Sequence, residues 1–367
     1  MTTAAHPVLP PDIVAWIERE LAVTVGRQAR IGSGSSREIW SIDVCALDTN
    51  ETSTVVVRLD PGTGPVAGTA LDLGREGTVY TGLRDSELPI PRLLAVEPDG
   101  RALVMELVRG EENLAGVDDP LQRQAIGRDY LSWLGRMHCL DVRALAVDAL
   151  GVPSSGPAHA LDDLALWTSI MRERGAGWTA PATEFAVDWL RDNAPSAPSA
   201  TALCHGDAGP GNFLFEGDAV TALLDWEFAH VGDPHDDLAW VAVRNPLLGG
   251  PIDVRDAFDA WREVTGLAIE PERLEYYRVF VLTRMLISCN TAVAWKNGVV
   301  DESILTHSIL RLWLATAVLA GIRFAGGGSR EVADLATDAA KTLEESEYAA
   351  VTSMIPPLEP FATILEP

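Results

Sequence analysis

The stretch HGDAGPGNFLFEGDAVTALLDW, residues 205–226, sets three oxygen-bearing side chains around a short hairpin. FLF reads as one strand, Gly217-Asp218 as the turn and AVTALL as the returning strand. A tight turn there places residue 212 opposite roughly residue 223, so Asn212 and Asp225 fall at the same open end of the ladder. A carboxylate and an amide oxygen, completed by phosphate oxygens, form the hard-ligand environment that suits Mg²⁺. Asp207 lies in the loop before the first strand and reaches the space beside such a metal. There it can accept a proton from an attacking hydroxyl, or orient that hydroxyl.

The first hundred residues supply what this hairpin lacks. Residues 11–22 carry the pattern of a short amphipathic helix, with Pro11 and Asp12 suited to its first turn. Strand-like runs follow: RQARI, REIWSIDVCAL and STVVVRL, then PRLLAV and RALVMELV across the turn EPDG. Residues 69–84 between them have helical spacing, with Leu73, Val79, Tyr80 and Leu83 on one face. This half is therefore expected to be an antiparallel sheet carrying a helix. A loop between two strands, Gly32-Ser33-Gly34-Ser35-Ser36, can bring backbone N–H groups close to phosphates. Glu76 lies on the apolar face of the 69–84 helix, where a carboxylate needs a cation. Arg37 and Arg58 are the cations of the nearby strands, and Arg58, ending VVVRL, is the economical partner. Such a pair holds the guanidinium fork ready to grip phosphate oxygens.

After Gly110 the pattern turns helical. Asp119-Pro120 is a helix start, LQRQAIGRDYLSWLGRMHCL continues it, and further helical runs occupy 161–174 and 182–193. The expected division is an N-terminal, nucleotide-binding lobe over 1–108 and a mainly helical C-terminal lobe over 109–367. The parts then run in the order glycine loop, strand cation, helix glutamate, extended connector, Asp207, Asn212, Asp225. That is the order of the protein-kinase template for phosphoryl transfer.

HGDAGPGNFLF followed by LLDWEFAHVGDPHDDLAW resembles the signature of the aminoglycoside phosphotransferase-like family of small-molecule kinases. The stretches GSGSSREIW, VVVRLD, REGTVYTGL, PIPRLLAV and ALVMELVRG are similar to the branch related to the kinase-like domain of certain acyl-CoA dehydrogenases. The resemblance covers roughly residues 27–320 and implies an α+β, two-lobed protein-kinase-like fold. By matching position it implies Asp207 as catalytic base, Asn212 and Asp225 as metal ligands, and Glu76 as helix partner of the phosphate-gripping Arg58. Gly32, Gly34, Ser35 and Ser36 would approach phosphates, and Glu106 and Val108 would offer backbone hydrogen bonds to a purine. Two departures stand out: many relatives have lysine where this chain has Arg58, and Arg37 takes the third glycine position of the loop. The implied chemistry is Mg²⁺-dependent transfer of the γ-phosphoryl group of ATP or GTP to a small-molecule hydroxyl, of a hydroxyacyl metabolite or an aminoglycoside-like antibiotic.

Two other readings compete. His205, Asp207, Asp225, His230, His235 and Asp236 also read as a mixed His/Asp metal cluster of a phosphohydrolase. A nucleotide-binding regulator without catalysis is the third. His205 reads as a brace of the catalytic loop, Asp237 as a helix cap or a brace of that loop, His138 as core packing, and Glu227 as either a site contact or a solvated carboxylate.

Composition bounds these choices. Hydrophobic residues at 47% and charged ones at 22% are those of a globular chain, and 367 residues fit two lobes. A net charge of −25 opposes phosphate backbones, so nucleic acid is not an expected partner. The chain has two lysines, Lys296 and Lys341, among 28 lysines plus arginines, so a phosphate-binding cation in its first two-thirds must be arginine or histidine. Four cysteines without a CxxC pair suit a reducing compartment. The N-terminus lacks a basic start and apolar run, and LWLATAVLAGI is too short to span a bilayer. A cytoplasmic protein without membrane partners is the expectation.

Overall fold

The structure is a computed structural model that describes residues 8–33, 37–62, 66–174, 180–247 and 251–295. Gly34, Ser35, Ser36, both lysines, LWLATAVLAGI and the tail after Gly326 lie outside the described residues.

Helix α1 (Pro11–Leu21) opens the chain and presents Ile13, Trp16 and Ile17 inward, the i, i+3, i+4 spacing of one helical face. It lies on a five-stranded antiparallel sheet built from β1 (Val23–Ser33), β2 (Glu38–Ala46), β3 (Thr52–Leu59), β4 (Leu93–Val96) and β5 (Ala102–Glu106), in the order β1-β2-β3-β5-β4. Strand alternation divides the sheet's two faces. Ala102 and Val104 pack with Ile13, Trp16, Trp40 and Val57 under α1. Leu103 and Met105 point the other way, into the core shared with α2 (Leu73–Gly82) and the helices beyond. Asp72 caps α2 by accepting the Arg75 N–H at 2.8 Å.

The C-terminal region is mainly helical. Asp119 caps α3 (Pro120–His138), accepting the Leu121 N–H at 2.9 Å with Pro120 at the first helical position. Helices α4 (Ala158–Arg174) and α5 (Ala180–Asp192) follow, then four short strands, β6 (Ala202–Cys204), β7 (Phe213–Glu216), β8 (Ala219–Leu223) and β9 (His230–Gly232). Helices α6 (His235–Leu247), α7 (Val254–Thr265) and α8 (Pro271–Trp295) complete the described fold, with α3 against α7 and α6 against α8.

The β7–β8 hairpin turns at Gly217, whose φ of +59° is the left-handed conformation a two-residue turn requires. A bulge between Leu214 and Phe215 shifts its register by one from the simple count. Phe213 rather than Asn212 faces Leu223, and Asn212 accepts the Leu224 N–H at 2.9 Å. Asn212 and Asp225 still close the same end of the ladder.

Three residues of this hairpin are tied to the segments that precede β4 and follow β5. Glu111 in the connector exchanges both backbone hydrogen bonds with Phe215, at 2.9 and 3.0 Å. Thr221 Oγ1 donates to Arg109 O at 3.0 Å, and the Leu223 N–H donates to Pro89 O at 2.7 Å. The sheet's cation and the hairpin's carboxylates are thereby held in one frame.

Candidate active site

Arg58 leaves the end of β3 buried and reaches across the fold. Its Nε lies 3.3 Å from Glu76 Oε1 on α2, and its Nη2 donates to Asp225 Oδ1 at 2.6 Å. The Glu76–Arg58 pair expected from the apolar face of α2 is present, and it extends to the hairpin. Burial pushes the Glu76 carboxyl up to about 6 against the pull of Arg58. Burial also acts to raise Asp225, yet the Arg58 guanidinium holds that carboxyl below its ordinary value. Asp225 carries a φ of +66°, a conformation costly for a residue with a side chain and concentrated at functional sites.

Asp207 and Asn212 meet directly. Asn212 Nδ2 donates to Asp207 Oδ2 and to Asp207 O, each at 2.7 Å. That orientation leaves Asn212 Oδ1 to accept from a different group, and the donor it meets is one that the sequence reading missed. Arg244, on α6, donates from Nη2 to Asn212 Oδ1 at 3.1 Å and from Nε to Pro210 O at 2.9 Å, and its Nη1 pairs with Asp207 Oδ1. Gly209, at φ +140°, makes room for it: a Cβ there would stand 3.0 Å from Arg244 Cδ.

The loop itself is held from below by a buried carboxylate. Asp237 accepts the His205 N–H at 2.7 Å, the Gly206 N–H at 2.9 Å and His138 Nε2 at 3.0 Å. His138 Nδ1 in turn accepts the Trp261 indole N–H at 2.9 Å, which fixes one neutral tautomer. His138 is therefore a polar brace rather than plain core packing. Gly206 has φ +79°, and a Cβ there would fall 2.1 Å from Phe228 O, so only glycine lets the loop pass. Tyr130 closes the other side, stacked 4.3 Å from Phe213 with its hydroxyl accepting the Gly209 N–H at 2.8 Å.

The histidines of the alternative metal cluster go to separate partners. His205 Nε2 donates to Leu224 O at 2.8 Å while its Nδ1 accepts the Asp207 N–H at 3.3 Å. His235 pairs with Asp233 at 2.9 Å and accepts the Glu270 N–H at 3.0 Å. His230 faces Asp236 at 2.8 Å and Phe228 O at 3.1 Å. The one His/Cys/carboxylate group drawn together among the described residues is His138, Cys204 and Asp237, whose His and Asp are spent on the loop brace.

Both ring nitrogens of His230 face acceptors, which favours the doubly protonated ring. Burial works against that charge, but Asp163 and Asp236 hold its pKa up to about 8. A folded-state pKa above the unfolded value contributes stability that is full below about 6.5 and lost as pH rises through about 8. Equilibrium unfolding should therefore show stability falling by about 2 kcal/mol across that window, and His230→Gln should flatten the slope. An unchanged slope in the variant would disprove the assignment.

Other expected residues are placed as follows. Gly32 pairs with Ile39 where β1 and β2 run toward the loop containing Gly34, Ser35 and Ser36. Arg37 does not point to a phosphate position: it is buried, with Nη1 3.1 Å from Asp60 and Nη2 donating to Leu71 O at 2.7 Å. Glu106 ends β5, its N–H donating to Arg92 O at 3.0 Å, and Val108 follows in the extended connector. Glu227 is buried, not a solvated loop carboxylate. A cavity of about 590 Å³ beside the connector is lined by Glu111, Asp118, Asp119 and Glu216, a lining that repels a triphosphate.

The sequence profile of the APH phosphotransferase enzyme family matches residues 36–276, and the chain belongs to that family. It is 28% identical over 239 residues to mouse acyl-CoA dehydrogenase family member 10, covering 62% of this chain and 21% of that protein. Chicken acyl-CoA dehydrogenase family member 11 is 30% identical over 198 residues, covering 50% of this chain and 24% of that protein. The chain thus spans about a quarter or less of the length of these curated relatives. Among solved structures, a thermostable mutant of aminoglycoside phosphotransferase APH(4)-Ia in ternary complex with AMP-PNP and hygromycin B matches with a TM-score of 0.60 at 16% identity. That match covers 87% of this chain and 100% of the other. The chain thus has the kinase-like fold of that aminoglycoside phosphotransferase. No described helix is long and apolar enough to cross a membrane.

Proposed function

We propose that this protein transfers the γ-phosphoryl group of ATP or GTP to a hydroxyl of a small molecule, with Mg²⁺, in a cleft between the lobes 1–108 and 109–367. One observation carries the reading: Glu76, Arg58 and Asp225 form a continuous charged chain from the N-terminal sheet to the hairpin that also bears Asn212 and, next to it, Asp207. The donor set fits a hard divalent cation, since Asn212 Oδ1 and the Asp225 carboxylate are oxygens from one hairpin end. When bound, such an ion neutralises the charge gathered on the phosphates. Arg58 grips phosphate oxygens, Glu76 keeps it aimed, and Gly32, Gly34, Ser35 and Ser36 lay backbone N–H groups over them. Glu106 and Val108 offer the backbone edge to the purine.

Asp207 orients the acceptor hydroxyl and takes its proton. The hydroxyl oxygen bonds to the γ-phosphorus, and the bond from that phosphorus to its bridging oxygen breaks with both electrons leaving on the nucleoside diphosphate. The acyl-CoA dehydrogenase relatives support a hydroxyacyl-type acceptor over an antibiotic. Incubating the purified chain with γ-labelled ATP or GTP and pooled hydroxyacyl-CoAs, aminoglycosides and macrolides tests this. Label is expected in the hydroxyacyl pool; label confined to an antibiotic pool would reverse the choice of acceptor.

A further inference from the structure

We propose that Arg244 is a second phosphate cation, delivered from within the chain to the transferring phosphoryl group on the Asp207 side of the site. The inference rests on the kinase reading above and assigns a residue that the family pattern did not supply.

Helix α6 grips the catalytic loop at two places. Asp237 binds its start through the His205 and Gly206 N–H groups, and Arg244 binds its end through Asp207, Pro210 and Asn212. The two residues are two helical turns apart, so they share one face. The guanidinium stem lies across Gly209, where a side chain would collide with it. This is a built position, with every nitrogen of the guanidinium engaged.

The partners Arg244 holds are the ones that a loaded site takes away. Asn212 Oδ1 is the amide oxygen offered to a metal, and Asp207 Oδ1 belongs to the carboxylate that must turn to a hydroxyl. Arg244 then loses two acceptors, and phosphoryl oxygens replace them, matched by the planar fork of Nη1 and Nη2. Of the other cations near the site, Arg58 stands on the Glu76 and Asp225 side, and Arg37 is engaged by Asp60 and Leu71 O. As the acceptor oxygen bonds to phosphorus, the bridging bond breaks and the proton passes to Asp207. Arg244 donates to the equatorial oxygens that gather charge during this exchange. An arginine supplied in this way is the charge stabiliser of several phosphoryl-transfer enzymes.

The test is calorimetry on the full chain with MgADP, alone and with aluminium fluoride, a mimic of the phosphoryl group in flight. The wild type is expected to bind MgADP and to tighten when fluoride is added. Arg244→Ala should lose about a hundredfold or more of that tightening with its MgADP affinity unchanged, whatever the fall in melting temperature from the acceptors it strands. Arg244→Lys, which keeps the charge and loses the fork, should recover part of it, and it reads the same effect if the alanine variant does not fold. Equal tightening in wild type and variants, or a parallel fall in MgADP affinity and melting temperature, would reduce Arg244 to a brace and overturn the proposal. Wild type that binds MgADP without tightening also overturns it and leaves the kinase reading standing. Wild type that binds no MgADP overturns both.

Discussion

Asp207→Asn is expected to cut phosphoryl transfer by about 10²–10⁴-fold while nucleotide affinity stays at the wild-type value. The substitution keeps the shape of the side chain and one acceptor oxygen for Arg244, while Asn212 Nδ2 keeps the Asp207 backbone oxygen. In the proposed mechanism it removes the carboxylate that receives the hydroxyl's proton, while the nucleotide contacts proposed for Arg58, the glycine loop and the connector are untouched. Label transfer from the γ-position, measured beside calorimetric titration of MgADP, separates the two quantities. Equal turnover in variant and wild type would remove Asp207 from the chemistry. A matching loss of MgADP affinity would make it a structural residue instead.

Asp237→Ala should destabilise the fold by about 3–5 kcal/mol, the largest stability effect expected of a single residue near the site. Its carboxylate is fully buried and accepts from two loop N–H groups and from His138. Alanine leaves those three donors in the interior without a partner. Asp237→Asn should suffer as well, because the new amide N–H₂ group faces donors. Burial acts to raise the Asp237 carboxyl, while the hydrogen bond from His138 holds it below its ordinary value. A depressed carboxylate contributes stability present above its unfolded pKa and lost as pH falls through the folded one. The penalty of Asp237→Ala should therefore be full at neutral pH and shrink in acid. Denaturant unfolding at neutral and acidic pH checks both parts. A loss below about 1 kcal/mol at neutral pH would show that the loop does not depend on this carboxylate.

What could be read in advance was local. The hairpin was legible because Gly217-Asp218 sits between two apolar runs, and the ends of a hairpin must face each other. The Glu76–Arg58 pair was legible because a carboxylate on an apolar helix face demands a cation and the neighbouring strands offer few. His205 was readable as a brace because it directly precedes the loop, and Asp237 because it stands at the start of a helical run. Arg244 was not. It follows Asp207 by strands β7, β8 and β9 and most of helix α6, and an arginine on a helix is ordinarily a solvated residue. Its one trace was Gly209, a glycine where the loop could have carried a side chain, and nothing in the chain says what fills the space. The one-residue register shift of the hairpin was hidden for a similar reason: the bulge at Leu214 and Phe215 answers to packing and leaves no turn residue behind. Arg37, the other cation weighed for Glu76, is instead claimed by Asp60 and Leu71 O, both near it only in space.

The central claim is that side chains from two distant parts of the chain converge on one metal–nucleotide. The direct measurement is the melting temperature of wild type and Asp225→Ala with AMP-PNP or GMP-PNP, each with and without Mg²⁺. A nucleotide-dependent rise that requires Mg²⁺ in the wild type and vanishes in Asp225→Ala is the predicted result. A rise that ignores both Mg²⁺ and the substitution, or no rise with either nucleotide, would contradict the account.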